Sequence, residues 1–329
     1  CCGEGYFIDC RGIHLFDDRK IPVINIVVDH PFYYHKFLPF LPKDYCQISI
    51  DREHEAYLQY YFPEIKRGPF LPLAGTSLWE ENTLPKWEER PYDVVFTGNY
   101  TPLSKFEPTI ERHGKEYADF YYGIIEDFKK HPHLGMDVGI REHLLSEVED
   151  ITEDGVKEMM PNMIVIDLYV RNYFRGKVVQ TLVDAGVSVH CFGAGWEFLP
   201  CEHPENLIKE GGVDSLACLQ ALSKAKVSLN VMPWFKDGAH DRVFNSMLNG
   251  AVCFTDWSRY LAENLRDGED IFFYELDALE CLPDMVQGIL ENRKKWEHMQ
   301  KAAYETAEKS HTWEHRAGAV HKEILSKIR

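Results

Sequence analysis

Residues 236–256 have the sequence KDGAHDRVFNSMLNGAVCFTD, in which a polar segment leads into an apolar repeat and then into an apolar run. The apolar residues of the repeat have the three- and four-residue spacing of one helix face: Val243, Phe244, Met247 and Leu248. The run AVCFTD that follows is typical of a buried strand. This stretch therefore predicts a helix from about His240 that leads directly into a strand, as in the repeating unit of an α/β fold.

The same alternation continues through most of the chain. Strand-like runs are separated by segments of helical periodicity: YDVVFTGNY, VSVHCFG, VSLNVMP, AVCFTD and IFFYE. The clearest helix repeats apolar residues at Phe174, Val178 and Leu182, and it is followed by a glycine, Gly186, that suits a helix C-terminus. From about Asp277 onward the pattern is helical only. Continuous apolar strands that alternate with helices predict a doubly wound parallel sheet with about five strands.

The first part of the chain has its own strand-like runs, namely YFIDC, PVINIVVD, CQISI and the closing FLPLAG. A polar, proline-containing segment, Ser77–Pro91, follows them and is predicted to be a linker. We therefore expect an N-terminal Rossmann-like domain in residues 1–85, a second such domain in residues 86–285, and C-terminal helices in residues 286–329 that pack across both. Because the chain starts with Cys and enters a strand-like run within a few residues, we expect upstream sequence to be missing.

Composition excludes several classes of function. The chain has 36 Lys and Arg against 53 Asp and Glu, a formal net charge of −17, which disfavours nucleic acid or an anionic membrane as the main partner. No apolar run approaches the roughly 20 residues that span a bilayer. The nine cysteines are an odd number, and several lie within apolar runs, which favours reduced thiols over a disulfide framework. We expect a cytoplasmic protein.

The start of the predicted helix combines features that favour an anion. A helix N-terminus has free backbone N–H groups, and Gly238 just before it permits close approach of a phosphate group. Arg242 and Lys236 are the nearest cations, and His240 supplies a further hydrogen-bond donor. We therefore predict a phosphate site here. The alternative is that an acid such as Asp237 only caps the helix and that Arg242 is solvated.

Other candidates follow strands, because ligands of open α/β sheets bind beyond the carboxyl ends of the strands. The loop with Gly98 and Asn99 is predicted to contact a ligand, and Gly193 follows the next strand as part of a Gly-x-Gly, which is weak evidence alone. Asp29 and His30 follow PVINIVVD and are candidates for a general base or an acceptor-binding group. A capping or loop-stabilising role is the alternative for both.

The corner at 236–256 resembles the donor-site motif of GT-B glycosyltransferases, in which an acid and a glycine precede a helix that carries Glu-Ala-Met-x-x-Gly and leads into a strand. More specifically, the chain resembles the spore-maturation, or spore-protein, glycosyltransferase-like family of group 1 transferases. Further matching segments extend the resemblance over nearly the whole chain: VVDHP (27–31), FLPLAG (70–75), YDVVFTGNY (92–100), YFRGKVVQTL (173–182), VHCFGAGW (189–196), SLNVMP (228–233) and HDRVF (240–244). The resemblance implies a GT-B fold of two Rossmann-like domains.

The resemblance also implies roles for individual residues. Asp237 would contact the donor sugar or the phosphate region, and Arg175 and Lys177 would contact the donor diphosphate. Asn245 stands where the family has a second acid, which is a departure, because an amide hydrogen-bonds a ribose diol but is not a charged acceptor. The alternative for Arg175 and Lys177 is that they form an ordinary solvated helix face.

We therefore expect a glycosyltransferase that moves a sugar from a nucleoside-diphosphate sugar, with a UDP-sugar as donor, to an acceptor between the domains. The sequence has no Asp-x-Asp motif and no His/Cys pairs at zinc spacing, which favours a metal-independent reaction without a further cofactor. The residues leave retaining and inverting chemistry open. The alternatives are a non-catalytic GT-B-like binding protein with a donor site degenerate at Asn245, and an enzyme that hydrolyses or epimerises a nucleotide sugar.

Overall fold

The computed structural model describes residues 15–80 and 83–328, and the predicted strand YFIDC lies outside them. The strands are β1 (Val23–Val27), β2 (Tyr45–Ser49), β3 (Lys66–Arg67), β4 (Tyr92–Thr97), β5 (Val189–Phe192), β6 (Leu207–Gly211), β7 (Ala225–Asn230), β8 (Val252–Asp256) and β9 (Phe272–Tyr274). The helices are α1 (Leu15–Arg19), α2 (Arg52–Tyr61), α3 (Glu107–Ile110), α4 (Lys115–Lys130), α5 (Met136–Glu147), α6 (Glu153–Met159), α7 (Ile164–Asp184), α8 (Ser215–Ser223), α9 (Asp241–Leu248), α10 (Arg259–Asn264), α11 (Leu282–Leu290), α12 (Arg293–Ser310) and α13 (Trp313–Ile328).

The strands form two sheets, and the pairings within both are parallel. One sheet has the order β1-β2-β3 and the other has the order β6-β5-β4-β7-β8-β9. The N-terminal lobe is the part of the chain that contains the β1-β2-β3 sheet, and the C-terminal lobe is the part that contains the six-stranded sheet. The parallel sheets confirm the predicted α/β class. In the larger sheet the direction of strand addition reverses between β4 and β7, and ligands of such sheets bind in the crevice beyond that point.

Three details of the strand prediction were wrong, and the first is β3, a two-residue strand that was not predicted. β6 was not predicted, because its sequence LIKEG mixes charged and apolar residues, as suits a strand at the edge of the sheet. FLPLAG, at residues 70–75, was predicted to be a strand but forms none. Instead, the Leu71 N–H donates to the Ser49 carbonyl and the Gly75 N–H donates to the His311 carbonyl. These residues therefore connect the N-terminal lobe to the beginning of α13.

α7 confirms the clearest helix of the sequence. Its apolar residues Phe174, Val178 and Leu182 are buried. The helix ends at Asp184, and Gly186 has a φ of 88°, a left-handed conformation that glycine adopts without strain. This glycine turns the chain so that it enters β5 only a few residues later.

The segment Ser77–Pro91, predicted to be a linker, is anchored by one buried cation. Arg90 is 1% exposed and donates hydrogen bonds to the carbonyls of Leu222, Ala225 and Asn249. A guanidinium has five N–H groups, so it can donate to all three carbonyls. The carbonyls of Leu222 and Asn249 lie at helix ends, where they lack partners within their own helix. The segment is therefore fixed to the C-terminal lobe, although its polar composition suggests an exposed loop.

Hydrogen bonds from α6 and α13 connect the C-terminal lobe to the N-terminal lobe. Lys157 of α6 donates to the carbonyl of Tyr61 at the end of α2. From the other side, Arg316 of α13 is buried and donates to the carbonyls of Pro72 and Leu73 at 2.7 and 3.1 Å. Among the helices that the structure describes, none combines the length and the apolar character needed to cross a bilayer.

Candidate active site

Three arginines converge beyond the carboxyl end of β4. Arg171 and Arg175 are four residues apart on α7 and therefore share one face of that helix. Arg242 lies in the first turn of α9. The guanidinium carbons of Arg175 and Arg242 are 5.9 and 5.1 Å from the centre of the Phe96 ring. We call Arg171, Arg175 and Arg242 the arginine cluster.

Two members of the arginine cluster lack a carboxylate partner. Arg171 forms an ion pair with Asp167 at 2.9 Å, but within the described part of the chain neither Arg175 nor Arg242 forms one. Arg175 donates to the Asn99 carbonyl at 2.5 Å, and its buried Nε has no hydrogen-bond partner. Burial, and then the charges of Arg242 and Arg171, lowers the pKa of Arg175 to about 9. At neutral pH the cluster therefore holds positive charge that the described residues do not neutralise.

Arg242 bridges the ends of β4 and β7. Its Nε donates to Thr97 Oγ1 at 3.2 Å and its Nη1 donates to Asn230 Oδ1 at 2.8 Å. His240 Nδ1 lies 3.0 Å from the same amide oxygen. Burial, followed by the charges of the arginine cluster, holds the pKa of His240 well below its ordinary value, so the ring is neutral at neutral pH. Asn230 Oδ1 is an acceptor, whereas Arg242 Nη1 is a donor 3.4 Å from the same Nδ1, and the shorter contact with Asn230 favours the tautomer that carries its proton on Nδ1.

A groove of about 280 Å³ lies between α8 and α9 and includes Arg242 in its lining. On α9, Asp241 and Asn245 lie one helical turn apart on the same face. Asn245 Nδ2 donates to Asp241 Oδ2 at 3.2 Å, and Asn245 Oδ1 accepts from the Thr76 N–H at 2.8 Å. Other lining residues come from α8 and α13: Ser215, Cys218, Leu219, Leu222 and Trp313. We call this the α8–α9 groove; it combines polar side chains from α9 with apolar side chains from α8.

The segment Asp237–Gly238 does not face this groove, contrary to the predicted phosphate site. Asp237 pairs with Arg52 of the N-terminal lobe at 2.9 Å and with Arg259 at 3.4 Å. Gly238 permits a close approach, as predicted, but the group that approaches it is the Ile50 carbonyl of the protein itself. A Cβ at Gly238 would lie 2.6 Å from that oxygen. The N-terminal lobe therefore covers the backbone that was expected to bind a phosphate.

Charged groups are also buried beneath this contact. Asp51 accepts a hydrogen bond from the Asp237 N–H at 3.1 Å. Burial raises the pKa of Asp51 to about 7, and burial also raises the pKa of Glu53 to about 7. The amino group of Lys236 donates to the carbonyl of Pro132, so it does not supply a cation to the groove as the sequence suggested. This part of the corner is an interface between lobes.

The predicted glycine loops lie beside the arginine cluster. The Gly98 backbone approaches Arg242 closely, since a Cβ on Gly98 would lie 3.2 Å from Arg242 Nη2. Gly193 is packed against the same loop, where a Cβ would lie 2.2 Å from the Gly98 carbonyl oxygen. Asn99 Oδ1 accepts from the Ala194 N–H at 2.9 Å. Gly98 and Asn99 thus lie at the cluster, whereas Gly193 supports their loop from behind.

Asp29 and His30 occupy different surroundings although they are adjacent. His30 is buried, and its Nδ1 accepts from the Phe32 N–H at 3.2 Å, as in the capping alternative. Burial is the main cause that holds the pKa of His30 well below its ordinary value. Asp29 is exposed at the carboxyl end of β1, and its charge is close enough to raise the pKa of Asp167, after the larger effect of burial. Asp29 therefore faces the side of α7 that carries Arg171.

Lys177 was predicted to bind the diphosphate together with Arg175, but the two residues lie on different faces of α7. Lys177 lies two residues after Arg175, which is about 200° around the helix, and its side chain is exposed. The sequence analysis also missed several residues at the site, namely Thr97, Asn230 and Trp313. The first two end predicted strands and were therefore accessible to the same reasoning as Asn99. Among the described residues, no group of three His, Cys, Asp or Glu is placed to hold a metal ion.

Most of the residues that line the groove lie within a segment that matches a known family model. Residues 175–322 match the family model described as Glycosyl transferase-like. This segment is similar to glycosyl transferase-like domains. It begins at Arg175 and includes Arg242, Asn245 and Trp313, whereas Thr76 and Thr97 of the groove lie outside it. No curated protein matches the chain.

Solved glycosyltransferases share the arrangement of the two lobes. HepE of Anabaena, in complex with UDP-glucose, is similar over 93% of this chain and 73% of its own, with a TM-score of 0.54 and 8% identity. T4 phage BGT, in complex with its UDP-glucose substrate, is similar over 93% of this chain and 73% of its own, with a TM-score of 0.50 and 12% identity. At such identities the likeness shows the fold, which is GT-B.

The pneumococcal O-GlcNAc transferase GtfA, in complex with UDP and GlcNAc, has a TM-score of 0.50 and 11% identity to this chain. The similarity covers 94% of this chain but 53% of GtfA. The chain therefore spans about half the length of that enzyme.

Proposed function

We propose that this chain is a glycosyltransferase that moves a sugar from a UDP-sugar to an acceptor without the help of a metal ion. The observation that carries the proposal is the pair Arg175 and Arg242, two half-buried cations that have no carboxylate partner among the described residues, at the switch point between β4 and β7. UDP or UDP-glucose accompanies several of the similar GT-B structures, which supports the choice of donor. The resemblance to spore-maturation glycosyltransferases is the finer assignment that we favour.

The arginine pair fits the diphosphate of such a donor. Charge-assisted hydrogen bonds contribute about 1.5 to 3 kcal/mol each, whereas micromolar binding requires about 8 kcal/mol in total. Arg175 and Arg242 together therefore supply much of the necessary free energy, and contacts to the nucleoside supply the rest. During transfer, negative charge develops on the leaving nucleoside diphosphate. Fixed cations that are already desolvated stabilise this charge without reorganisation, which is the role that a metal ion has in other transferases.

We assign the ribose to the face of α9 that lines the groove. Asn245 is an amide where the resembling family has an acid, but Asp241 lies one turn earlier and is exposed on the same face. Asp241 therefore supplies the charged acceptor that Asn245 lacks, and a diol of the ribose would span the two side chains. On this assignment the substitution at Asn245 does not abolish donor binding.

We place the acceptor on the opposite side of the arginine cluster, against the N-terminal lobe. Asp29 is the exposed carboxylate there, and Tyr33 donates to Asp167 beside Arg171. We assign Asp29 to binding or deprotonation of the acceptor hydroxyl. His30 supports the turn as a cap, and Asp237 holds the lobes together.

The proposal is tested by calorimetric titration of the protein with UDP, GDP, TDP and their common sugar conjugates. We expect saturable binding of UDP that is weakened in Arg175→Ala and in Arg242→Ala. Arg112→Ala is a matched control, because Arg112 is an exposed arginine remote from the groove. Release of UDP from a UDP-sugar only when an acceptor is added would identify a transferase. Absence of binding by every nucleotide would overturn the proposal.

A further inference from the structure

The α8–α9 groove contains one aromatic side chain among the residues that the structure places in its lining. This is Trp313, the first residue of α13, whose side chain remains 45% exposed. Leu219 and Leu222 of α8 also line the groove, as does Cys218. Burial raises the pKa of the Cys218 thiol, so it stays protonated and uncharged at neutral pH. An indole and a wall of apolar side chains thus share a groove whose remaining lining is polar.

The position of Trp313 relative to α9 is fixed by its neighbours. The ring of His311 stacks on Phe244 of α9 with 4.4 Å between ring centres and an interplanar angle of 9°. The His311 carbonyl accepts from the Gly75 N–H at 2.9 Å. Gly75 itself is packed against α9, because a Cβ there would lie 2.6 Å from the Phe244 carbonyl carbon. The start of α13 is therefore anchored against α9 through His311 and Gly75, and this anchoring holds the exposed indole of Trp313 at the groove.

Three kinds of side chain line the groove. Arg242 joins the groove to the arginine cluster, and Asp241 and Asn245, one helical turn apart on α9, form a hydrogen-bonded polar pair. Asn245 also binds the Thr76 N–H, and Thr76 follows the glycine that anchors the start of α13. A cation, a polar pair and an indole therefore share one groove, and these are the three environments that the diphosphate, ribose and base of a nucleoside diphosphate require.

We propose that Trp313 stacks on the nucleobase of the donor, with the apolar face of α8 against the other side of the base. This inference rests on the proposed function, since it identifies which group of this chain binds the base. A flat heterocycle fills a slot between an indole and aliphatic side chains, and stacking on an aromatic residue is strong for any base. Trp313 therefore determines how tightly the nucleotide binds, while the arginine cluster binds its phosphates.

The test compares UDP and pyrophosphate as calorimetric ligands of the wild-type protein and of two variants. In Trp313→Leu, which keeps an apolar side chain but removes the ring, we expect the Kd of UDP to rise about tenfold to a hundredfold. The Kd of pyrophosphate should stay unchanged, because pyrophosphate has no base. Trp313→Phe keeps an aromatic face and should bind UDP within a few-fold of the wild-type protein. Melting temperatures of the variants report whether the fold is retained.

Trp257→Ala is the matched control, because Trp257 is 42% exposed and lies outside the groove. It should leave the Kd of UDP unchanged. If Trp313→Leu binds UDP as tightly as the wild-type protein does, or weakens pyrophosphate as much as UDP, the stacking role is wrong. If the wild-type protein binds UDP and Arg242→Ala weakens that binding, the proposed function stands even when Trp313→Leu has no effect. If the wild-type protein binds no nucleotide, both proposals fail.

Discussion

Two short segments of the corner at residues 236–256 have similar polar composition and opposite surroundings. Asp237 and Gly238 are covered by the N-terminal lobe through Arg52 and Ile50, whereas Arg242 lines the α8–α9 groove. Only a few residues separate the covered side from the open side. A motif thus determines which groups are present at a corner, while a distant segment of the chain determines which of them a ligand reaches.

The largest expected effect concerns the covered side and its dependence on pH. Burial raises the pKa of Asp51 from 3.8 to about 7, so between these values the folded state binds a proton that the unfolded state releases. Asp51 should therefore lower the free energy of unfolding by up to about 4 kcal/mol as pH rises from about 4 to 7. Buried histidines such as His54, whose pKa burial lowers to about 3, act in the opposite direction, so the contribution of Asp51 is read from the difference between the wild-type protein and a variant. Urea denaturation at several pH values measures this slope.

Asp51→Asn is the variant that isolates this group, because an amide caps α2 as Asp51 does but has no proton to release. The slope should become less negative by the contribution of Asp51, while Glu53 and Asp137, whose pKa values burial also raises, keep their contributions. A slope of the same size in Asp51→Asn would show that Asp51 is not a source of the pH dependence.

On the open side, Arg242→Ala should weaken UDP binding by about tenfold to 150-fold, which corresponds to the loss of one charge-assisted interaction of about 1.5 to 3 kcal/mol. The free energy of unfolding should change little, because the substitution also removes a half-buried cation that has no carboxylate partner in the described part of the chain. Calorimetry and denaturation of the same preparation measure both quantities. Unfolding of Arg242→Ala under native conditions would contradict this separation of binding from stability.

Gly238→Ala should destabilise the protein by about 1 to 3 kcal/mol, because the added methyl group would lie 2.6 Å from the Ile50 carbonyl oxygen. UDP binding should persist in the folded protein. Gly212→Ala is a suitable control, since a Cβ at Gly212 meets no atom within 4 Å. Urea denaturation measures the free energy of unfolding of both variants. Equal values would show that the contact between Gly238 and Ile50 is not tight.

The smallest expected effect is that of Asp237→Asn on stability. Its partners Arg52 and Arg259 have side chains that are 40% and 65% exposed, so water replaces much of what the ion pairs contribute. We expect a loss of about 1 kcal/mol or less in the free energy of unfolding. A loss of several kcal/mol would mean that the ion pairs are far stronger than their exposure implies.

The periodic parts of the fold could be predicted from the sequence, because their signals are local. Phe174, Val178 and Leu182 identify α7 through their spacing alone, and Gly186 marks its end. β6 was missed because an edge strand with charged residues lacks the continuous apolar run that identifies the buried strands. The elements that fail to be predicted are those whose stability comes from neighbours rather than from their own pattern.

The site was predictable in part for the same reason. Arg242 follows from its position at the start of a helix and Arg175 from the resemblance to a known family, and the structure brings both to Phe96. The covering of Gly238 by Ile50 has no local signal, because it joins residues that are 188 positions apart (238 − 50). Trp313 likewise reaches the groove through a helix far along the chain. Long-range packing therefore limits what the sequence tells about the site.

The most direct measurement is a parallel calorimetric titration of UDP into the wild-type protein, Arg242→Ala and Asp237→Asn. We expect Arg242→Ala to raise the Kd at least about tenfold and Asp237→Asn to leave it within a few-fold of the wild-type value. Such a result would place the donor on the open side of the corner. Strong loss of binding in Asp237→Asn with unchanged binding in Arg242→Ala would contradict it and would place the donor at the segment that the N-terminal lobe covers.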